Sequence, residues 1–264
     1  MKSTNPDSNE VSPELWLEDP KRFKAGQKKA HSNLRIQETK HYFSLNGKWK
    51  FQWSKNWKER ESHFYQFGFD TTEWTEIEVP ANWQLEGWGT PIYVNDRYPF
   101  PRNLPHIPLD QNPLGQYKRT FILPNDWLGQ MVYLVFESVK SAAFFWTNGQ
   151  WLGYNQDSKT PIEFLISPYL KSGENEIAVE VYRWCDGSYL ECQDFWRLSG
   201  IERAVYLLAR PKVHIRDFFV QADLANHYTD GHFQLKLEFI NHLASGSSFV
   251  HNKDVYLKVD NLSL

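Results

Sequence analysis

Cysteine is scarce in this chain. Cys185 and Cys192 are the two cysteines among 264 residues, and they lie seven positions apart. That spacing does not match a zinc-binding pattern, and two cysteines are too few for a disulfide framework. We therefore expect reduced thiols in a cytoplasmic protein, with a disulfide that closes the intervening loop as the alternative.

Long hydrophobic runs and an excess of basic residues are also lacking. No stretch approaches the roughly 18 apolar residues of a membrane-spanning helix. The 32 acidic residues outnumber the 29 Lys and Arg, for a net charge of −3. No basic field is therefore present to hold nucleic acid or an anionic membrane, and we predict neither as a partner. The polar N-terminus, MKSTNPDSNEVSPELWLEDP, carries no secretory signal.

Aromatic residues, by contrast, are abundant. They make up 16% of the chain, with 12 Trp, 13 Tyr and 18 Phe. So large a share favours a protein that uses rings on its surface as well as in its core.

The stretch 182–205, YRWCDGSYLECQDFWRLSGIERAV, combines these rings with acids. Three acids stand among the rings, and an arginine lies at each end: Asp186, Glu191, Asp194, Arg183 and Arg197. Carboxylates accept hydrogen bonds from sugar hydroxyls while rings cover the apolar C–H faces, and the same acids could bind a hard cation. The alternative is a strand–loop–strand in which the acids pair with the arginines and the rings are core.

Short strands separated by turns account for most of the chain. Residues 45–53, LNGKWKFQW, alternate apolar and polar side chains, which predicts a half-buried strand entered through an Asn46-Gly47 turn. The same reasoning predicts further strands at 77–79, 116–123, 131–137, 143–147, 151–154, 176–184 and 204–209. Asn148-Gly149 is a strong signal for a two-residue hairpin, and a short helical turn is expected around 166–170.

Residues 80–113 form a proline-rich segment with seven prolines. Proline at this density excludes a helix or a central strand. A long ordered loop of this kind is more often functional than not. The alternative is a rigid cover over one edge of a sheet.

These patterns predict an all-β chain in three parts. Residues 1–43 are an N-terminal arm, partly disordered, whose portion 14–43 is expected to lie over another surface rather than to pack as an element. Residues 44–210 are predicted to form a jelly-roll β-sandwich. Residues 211–264, with strands at 213–224, 232–240 and 255–259, hold about half of an immunoglobulin-like sandwich, so we expect the chain to stop inside a domain.

Several long motifs, in one order, resemble the N-terminal region of large bacterial β-galactosidases of glycoside hydrolase family 2. The motifs are LNGKWKFQW at 45–53, VPANWQLEGWGTPIYVNDRYPF at 79–100, NPLGQYKRTF at 112–121, NGQWLGYNQDSKTPIEFLI at 148–166 and GENEIAVEVYRWCDGSYLECQDFWRLSGIERAVYLL at 173–208. The WLEDP…KAH segment at 16–31 is similar to the arm of those enzymes. The resemblance covers roughly residues 14–220.

The resemblance implies a jelly-roll sugar-binding domain followed by the start of an immunoglobulin-like domain. In that family a later (β/α)8 barrel carries the catalytic glutamates, so no catalytic residue is expected in this chain. The Asn of IYVN matches Asn95 and implies a galactoside contact. The second acid of ECQD matches Asp194 and implies contact with sugar hydroxyls and with a sodium ion. Cys192 stands where relatives commonly have an acid, with little expected effect on the sugar.

The family also implies partners that this chain lacks. The other sodium ligands and all the magnesium ligands belong to the barrel, and full-length members are commonly homo-oligomers. For Asn95 the alternative is a turn residue that caps its own backbone. For Asp194 the alternative is a salt bridge to Arg183 or Arg197.

Three functions remain open from the sequence. The first is the N-terminal piece of a retaining β-galactosidase, which needs two carboxylates about 5–5.5 Å apart across the glycosidic bond. Glu191 and Asp194 sit on one segment and would be hard to place on opposite sides of a sugar, so the chain alone should be inactive. The second is a free-standing carbohydrate-binding module. The third is a structural part of an oligomer.

Overall fold

The computed structural model describes residues 12–31, 39–191 and 193–243. The predictions for residues 1–11, for the strand at 255–259 and for a disulfide at Cys192 lie outside the described residues. The chain divides into two compact units, Met1–Ala209 and Arg210–Leu264.

The described residues form seventeen strands, one α-helix and five short 3₁₀ turns. In chain order the strands are β1 Lys24–Ala25, β2 Tyr42–Ser44, β3 Gly47–Ser54, β4 Thr75–Val79, β5 Ile92–Val94, β6 Leu114–Ile122, β7 Met131–Phe136, β8 Val139–Lys140, β9 Ala142–Thr147, β10 Gln150–Asn155, β11 Ile162–Leu165, β12 Glu174–Tyr182, β13 Phe195–Arg197, β14 Gly200–Ile201, β15 Val205–Arg210, β16 Val213–Ala225 and β17 Asp230–Asn241. The helix α1 is Glu14–Leu17, and the 3₁₀ turns are Trp57–Glu59, Leu109–Gln111, Asn125–Trp127, Ser167–Tyr169 and Asp186–Tyr189.

Two sheets face each other in the first unit. The larger has seven strands in the order β1-β10-β9-β12-β6-β3-β4, and the smaller has four in the order β11-β7-β15-β2. Their inner faces share one apolar core, in which Phe136 of the smaller sheet lies 6.5 Å from Trp49 and 5.0 Å from Phe145 between ring centroids. The predicted all-β jelly-roll sandwich is confirmed.

Strand alternation places the core side chains as expected. In β3, Trp49 and Phe51 are buried, whereas Lys48 and Lys50 lie on the other face near Glu76. The Asn148-Gly149 hairpin is also confirmed: both residues have positive φ, 51° and 79°, and Gln150 pairs with Thr147. Such a turn matches the right-handed twist of the flanking strands.

The outer face of the seven-stranded sheet has its own cover. Leu17 of α1 is completely buried there, and the Trp16 ring lies 5.2 Å from that of Tyr154. β1 extends the same sheet by pairing with β10, and β2 joins the smaller sheet beside β15. As expected of 14–43, α1 lies over another surface, but the expectation that this segment does not pack as an element is wrong for α1, β1 and β2. The reason is that this face carries an aromatic cluster, including Phe144, which must be shielded from water.

The second unit begins with one long antiparallel pair. β16 and β17 are hydrogen-bonded from Val213 opposite Asn241 to Ala225 opposite Asp230, with a bulge between Ile215 and Asp217. These are the first strands of the predicted immunoglobulin-like sandwich.

Candidate functional site

A short two-stranded ribbon joins the proline-rich segment to the stretch 182–205. β5 pairs with β13 so that Val94 lies opposite Phe195 and Tyr93 opposite Trp196. Asn95 follows Val94, and Asp194 precedes Phe195. The antiparallel register therefore places the two predicted site residues across from each other at one end of the ribbon. Both are exposed.

The Asp194 carboxylate is held by a tyrosine. The Tyr93 hydroxyl donates a hydrogen bond to Asp194 Oδ1, and this bond raises the pKa of the Tyr93 phenol. The Asp194 backbone has φ of 48°, a left-handed conformation that Asp tolerates better than most residues. Tyr93 was missed by the sequence reasoning, although the alternation of IYVN puts its side chain on the same side of the strand as that of Asn95.

Arg183 and Arg197 both bind main-chain carbonyls. Arg183 Nη2 donates to the carbonyl oxygens of Thr90 (2.7 Å) and Arg197 (3.3 Å), and Arg197 Nη1 donates to the carbonyl of Glu191. Burial lowers the pKa of Arg183 to about 10. The arginines thus fasten the ribbon, and the hydrogen bond of Asp194 is to Tyr93 rather than an ion pair with either arginine.

The aromatic rings of the stretch and of its partner strand β5 divide into two groups. Tyr93 and Trp196 form an edge-to-face pair with centroids 5.6 Å apart, and they are 51% and 47% exposed. Trp184 and Tyr189 are buried instead, and both pack against Phe100 of the proline-rich segment. Exposed rings beside a carboxylate and an amide suit the apolar and polar faces of a sugar. The alternative interpretation, that the rings belong to the core, is therefore correct for the buried group alone.

The other two acids that stand among the rings, Asp186 and Glu191, face inward. Ser158 donates to both oxygens of the Glu191 carboxylate, from its backbone N (3.1 Å) and its Oγ (2.6 Å), and burial raises the pKa of Glu191. Asp186 accepts from the backbone N–H of Gly187 at 2.9 Å, and burial raises its pKa as well. Asp194 alone of the three acids is exposed.

The exposed Asp194 carboxylate could supply one ligand to a hard cation. Asp194 Oδ1 is engaged by Tyr93, which leaves Oδ2 for an oxygen-binding ion such as sodium. Within the described ranges, no group of three or more His, Cys, Asp or Glu side chains could hold a metal ion. Nor does any helix in the described part of the chain have the length and apolar character to cross a membrane.

The comparisons with known proteins agree with this site geometry. Residues 42–211 match the sugar-binding domain of glycosyl hydrolases family 2. The chain belongs to glycosyl hydrolase family 2. The predicted resemblance to an N-terminal region of this family is confirmed.

The relatives and solved structures that the chain resembles are longer than the chain. A beta-galactosidase of Priestia megaterium is 43% identical in an alignment of 243 residues that covers 86% of this chain and 24% of that protein. A beta-galactosidase of Photobacterium profundum is 46% identical over 209 residues, 79% of this chain and 20% of that protein. The chain thus spans about a quarter or less of the length of these relatives.

Among solved structures, a beta-glucuronidase of an uncultured Clostridium sp. has a TM-score of 0.59 at 21% identity, covering 79% of this chain and 36% of that chain. A beta-glycosidase from Bacteroides vulgatus has a TM-score of 0.57 at 24% identity, covering 76% of this chain and 24% of that chain. These likenesses show the shared family 2 fold.

Proposed function

We propose that this chain is the N-terminal part of a retaining β-galactosidase that hydrolyses terminal β-D-galactosyl residues of lactose-like substrates. Its role is to supply galactoside and sodium contacts to an active site completed by a downstream (β/α)8 barrel. The ribbon carries the proposal, because it sets Asn95 and Asp194 across from each other beside exposed rings. The names of relatives 41–46% identical to the chain support the choice of galactoside.

Each site residue has a chemical part in this proposal. The Asn95 amide offers both a donor and an acceptor to a pair of hydroxyls, whereas an ionised Asp194 only accepts. Sodium, when bound, supplies a positive charge that attracts sugar oxygens. Asp194 Oδ2 would hold it, with the remaining ligands and all magnesium ligands in the barrel. A carboxylate that contacts both the ion and the sugar would fix one ring orientation.

The catalytic carboxylates are proposed to lie outside this chain. Retaining hydrolysis needs two carboxyl groups on opposite sides of the glycosidic bond. Glu191 and Asp194 share one segment, and both oxygens of Glu191 are occupied by Ser158. We therefore expect the isolated chain to be inactive and the glutamates of the barrel to perform the chemistry.

A chimera tests the proposed contacts. This chain would replace the matching N-terminal part of the Priestia megaterium beta-galactosidase, and Asn95→Ala and Asp194→Ala would be compared with Asp96→Ala. Loss of a charged hydrogen-bond partner should lower kcat/KM for a chromogenic galactoside by about tenfold or more in Asp194→Ala. Its response to sodium should also disappear.

Asp96 is the matched control, because it is exposed, adjacent to Asn95 and paired with Arg97. Asp96→Ala should keep both the parent activity and the parent sodium response. If Asp194→Ala retains its response to sodium, the role given to Asp194 is wrong.

The alternative function is a free-standing carbohydrate-binding module, for which the exposed Tyr93–Trp196 pair is the supporting observation. Titration of galactose or lactose into the 264-residue chain separates the two. A dissociation constant in the low millimolar range or tighter favours the module, and no heat favours a part that needs its barrel. Oligomeric assembly and a cytoplasmic location remain proposals, to be tested by particle mass and by cell fractionation.

A further inference from the structure

Lys140 is a buried lysine that reaches the ribbon from the domain core. It ends β8, which pairs with β14, and its side chain is 2% exposed. Its Nζ donates to the carbonyl oxygen of Trp196 at 3.2 Å and lies 5.9 Å from the centroid of the Phe195 ring. The ammonium therefore binds the main chain two residues after Asp194.

The other side of Asp194 is fastened as well. The Glu191 carboxylate is bound by Ser158, and its carbonyl accepts from Arg197. Burial raises the pKa of Glu191, and the charge of Lys140 counteracts part of that rise. Both flanks of Asp194 are therefore attached to the domain core.

Asp194 needs such attachment because of its backbone. A φ of 48° is unfavourable for a residue with a Cβ, and it persists where the surrounding structure enforces it. Lys140 contacts the strand that immediately follows this residue.

We propose that Lys140 is a positioning residue whose ammonium, bound to the Trp196 carbonyl, holds residues 193–197 so that the Asp194 carboxylate faces the sugar. The purpose of this restraint rests on the proposed function, whereas the restraint itself is a property of this chain.

Lys118 provides a matched control. It is 3% exposed, and its Nζ lies 2.7 Å from Glu176 Oε1 and 2.9 Å from the carbonyl oxygen of Gln66. It belongs to β6, whose partners are β12 and β3, whereas the ribbon is a separate sheet of β13 and β5. Lys118→Met and Lys140→Met each remove one buried ammonium from the same domain, and they differ in what that ammonium holds.

Hydrogen–deuterium exchange on the 264-residue chain tests the restraint. Lys140→Met should accelerate backbone exchange at 193–197 by about tenfold or more, because a charged hydrogen bond to that segment is lost. Lys118→Met should leave exchange there at the parent rate, and Lys140→Arg, which keeps a charged donor, should restore most of the protection. Equal exchange at 193–197 in the two methionine variants overturns the proposal. Should Lys140→Met fail to fold, the neutral and shorter Lys140→Gln is held to the same criterion.

The chimera separates this inference from the proposed function. Lys140→Met should raise the KM for galactoside and the sodium concentration for half-maximal activity, and Lys118→Met should change neither. If Asp194→Ala impairs the chimera but Lys140→Met matches Lys118→Met in both measurements, the positioning role is wrong. If Asp194→Ala has no effect while Lys140→Met still loosens 193–197, the proposed function fails and the restraint stands.

Discussion

At the residue scale, Tyr93 controls how much of the Asp194 carboxylate is open to a ligand. Its hydroxyl binds Oδ1 of this exposed residue and does not engage Oδ2. Since the hydrogen bond to the Asp194 carboxylate favours the protonated phenol, the pKa of Tyr93 is raised. The pKa of Tyr93 therefore reports on this hydrogen bond and can be measured without any catalytic activity.

Changing Asp194→Asn should lower the pKa of Tyr93 toward its ordinary value, because an amide holds the phenolic proton less strongly than a carboxylate does. Carbon NMR of tyrosine Cζ through an alkaline titration measures this. Tyr42 is the internal control, because its pKa is raised first by burial. An unchanged Tyr93 titration in the variant would show that the hydrogen bond is absent in solution.

A second residue-scale prediction concerns Glu180, which is buried on the outer face of the large sheet. It accepts from Gln116 Nε2 (2.7 Å) and the Tyr182 hydroxyl (2.6 Å), and burial raises its pKa despite Arg60 nearby. A carboxyl with a raised folded-state pKa stabilises the fold below the unfolded pKa, near 4.3, and this contribution is lost as the pH rises through the folded pKa.

The parent should therefore lose stability relative to Glu180→Gln as the pH rises from about 4.3 toward the raised folded-state pKa. Urea unfolding of both proteins at several pH values gives the difference in their free energies of unfolding at each pH. Hydrogen-bond effects that do not depend on pH are the same at every pH, so a change in this difference reports the titration of Glu180. Glu76→Gln, on the exposed face beside Lys48, serves as the surface control. A difference between parent and Glu180→Gln that does not change with pH contradicts the assignment.

At the scale of the element, α1 belongs to the sandwich that it covers. Leu17 is completely buried, whereas Leu15, two residues earlier, is 62% exposed. Leu17→Ala should lower the free energy of unfolding by about 2–5 kcal/mol, because it leaves a cavity against the aromatic outer face. Leu15→Ala should change it by less than about 0.5 kcal/mol. Equal effects in denaturant unfolding would mean that α1 does not pack there in solution.

These elements also show what the sequence can and cannot predict. Alternation in residues 45–53 gave the strand and its buried face, and Asn148-Gly149 gave the hairpin, because both signals are local. The strands of the ribbon have three residues each, too few for a period, so their pairing could not be predicted. The burial of Leu17 escaped prediction as well, because it depends on distant strands of the large sheet.

The site was predictable to a similar extent. Asn95 and Asp194 were named through motif resemblance, and their placement across the ribbon follows from tertiary pairing. Local sequence does not specify the Tyr93–Asp194 bond or the contact of Lys140 with Trp196. Both join residues far apart in the chain.

At the scale of the whole molecule, the proposed function divides the work of a glycosidase between this chain and a barrel. The sandwich unit presents Asn95 and Asp194 on a fastened ribbon, and the catalytic carboxylates are assigned to a part of the enzyme outside this chain. Residues that bind sugar without the reacting carboxylates cannot form the covalent intermediate of a retaining enzyme. This division is the central claim.

Hydrolysis of a chromogenic β-galactoside by the 264-residue chain, with sodium and magnesium present, tests that claim most directly. The account predicts no turnover above the uncatalysed rate, while the chimera with a barrel is active. Clear turnover by the isolated chain, lost on Glu191→Gln or Asp194→Asn, would show that the chain holds its own catalytic pair and would contradict the account.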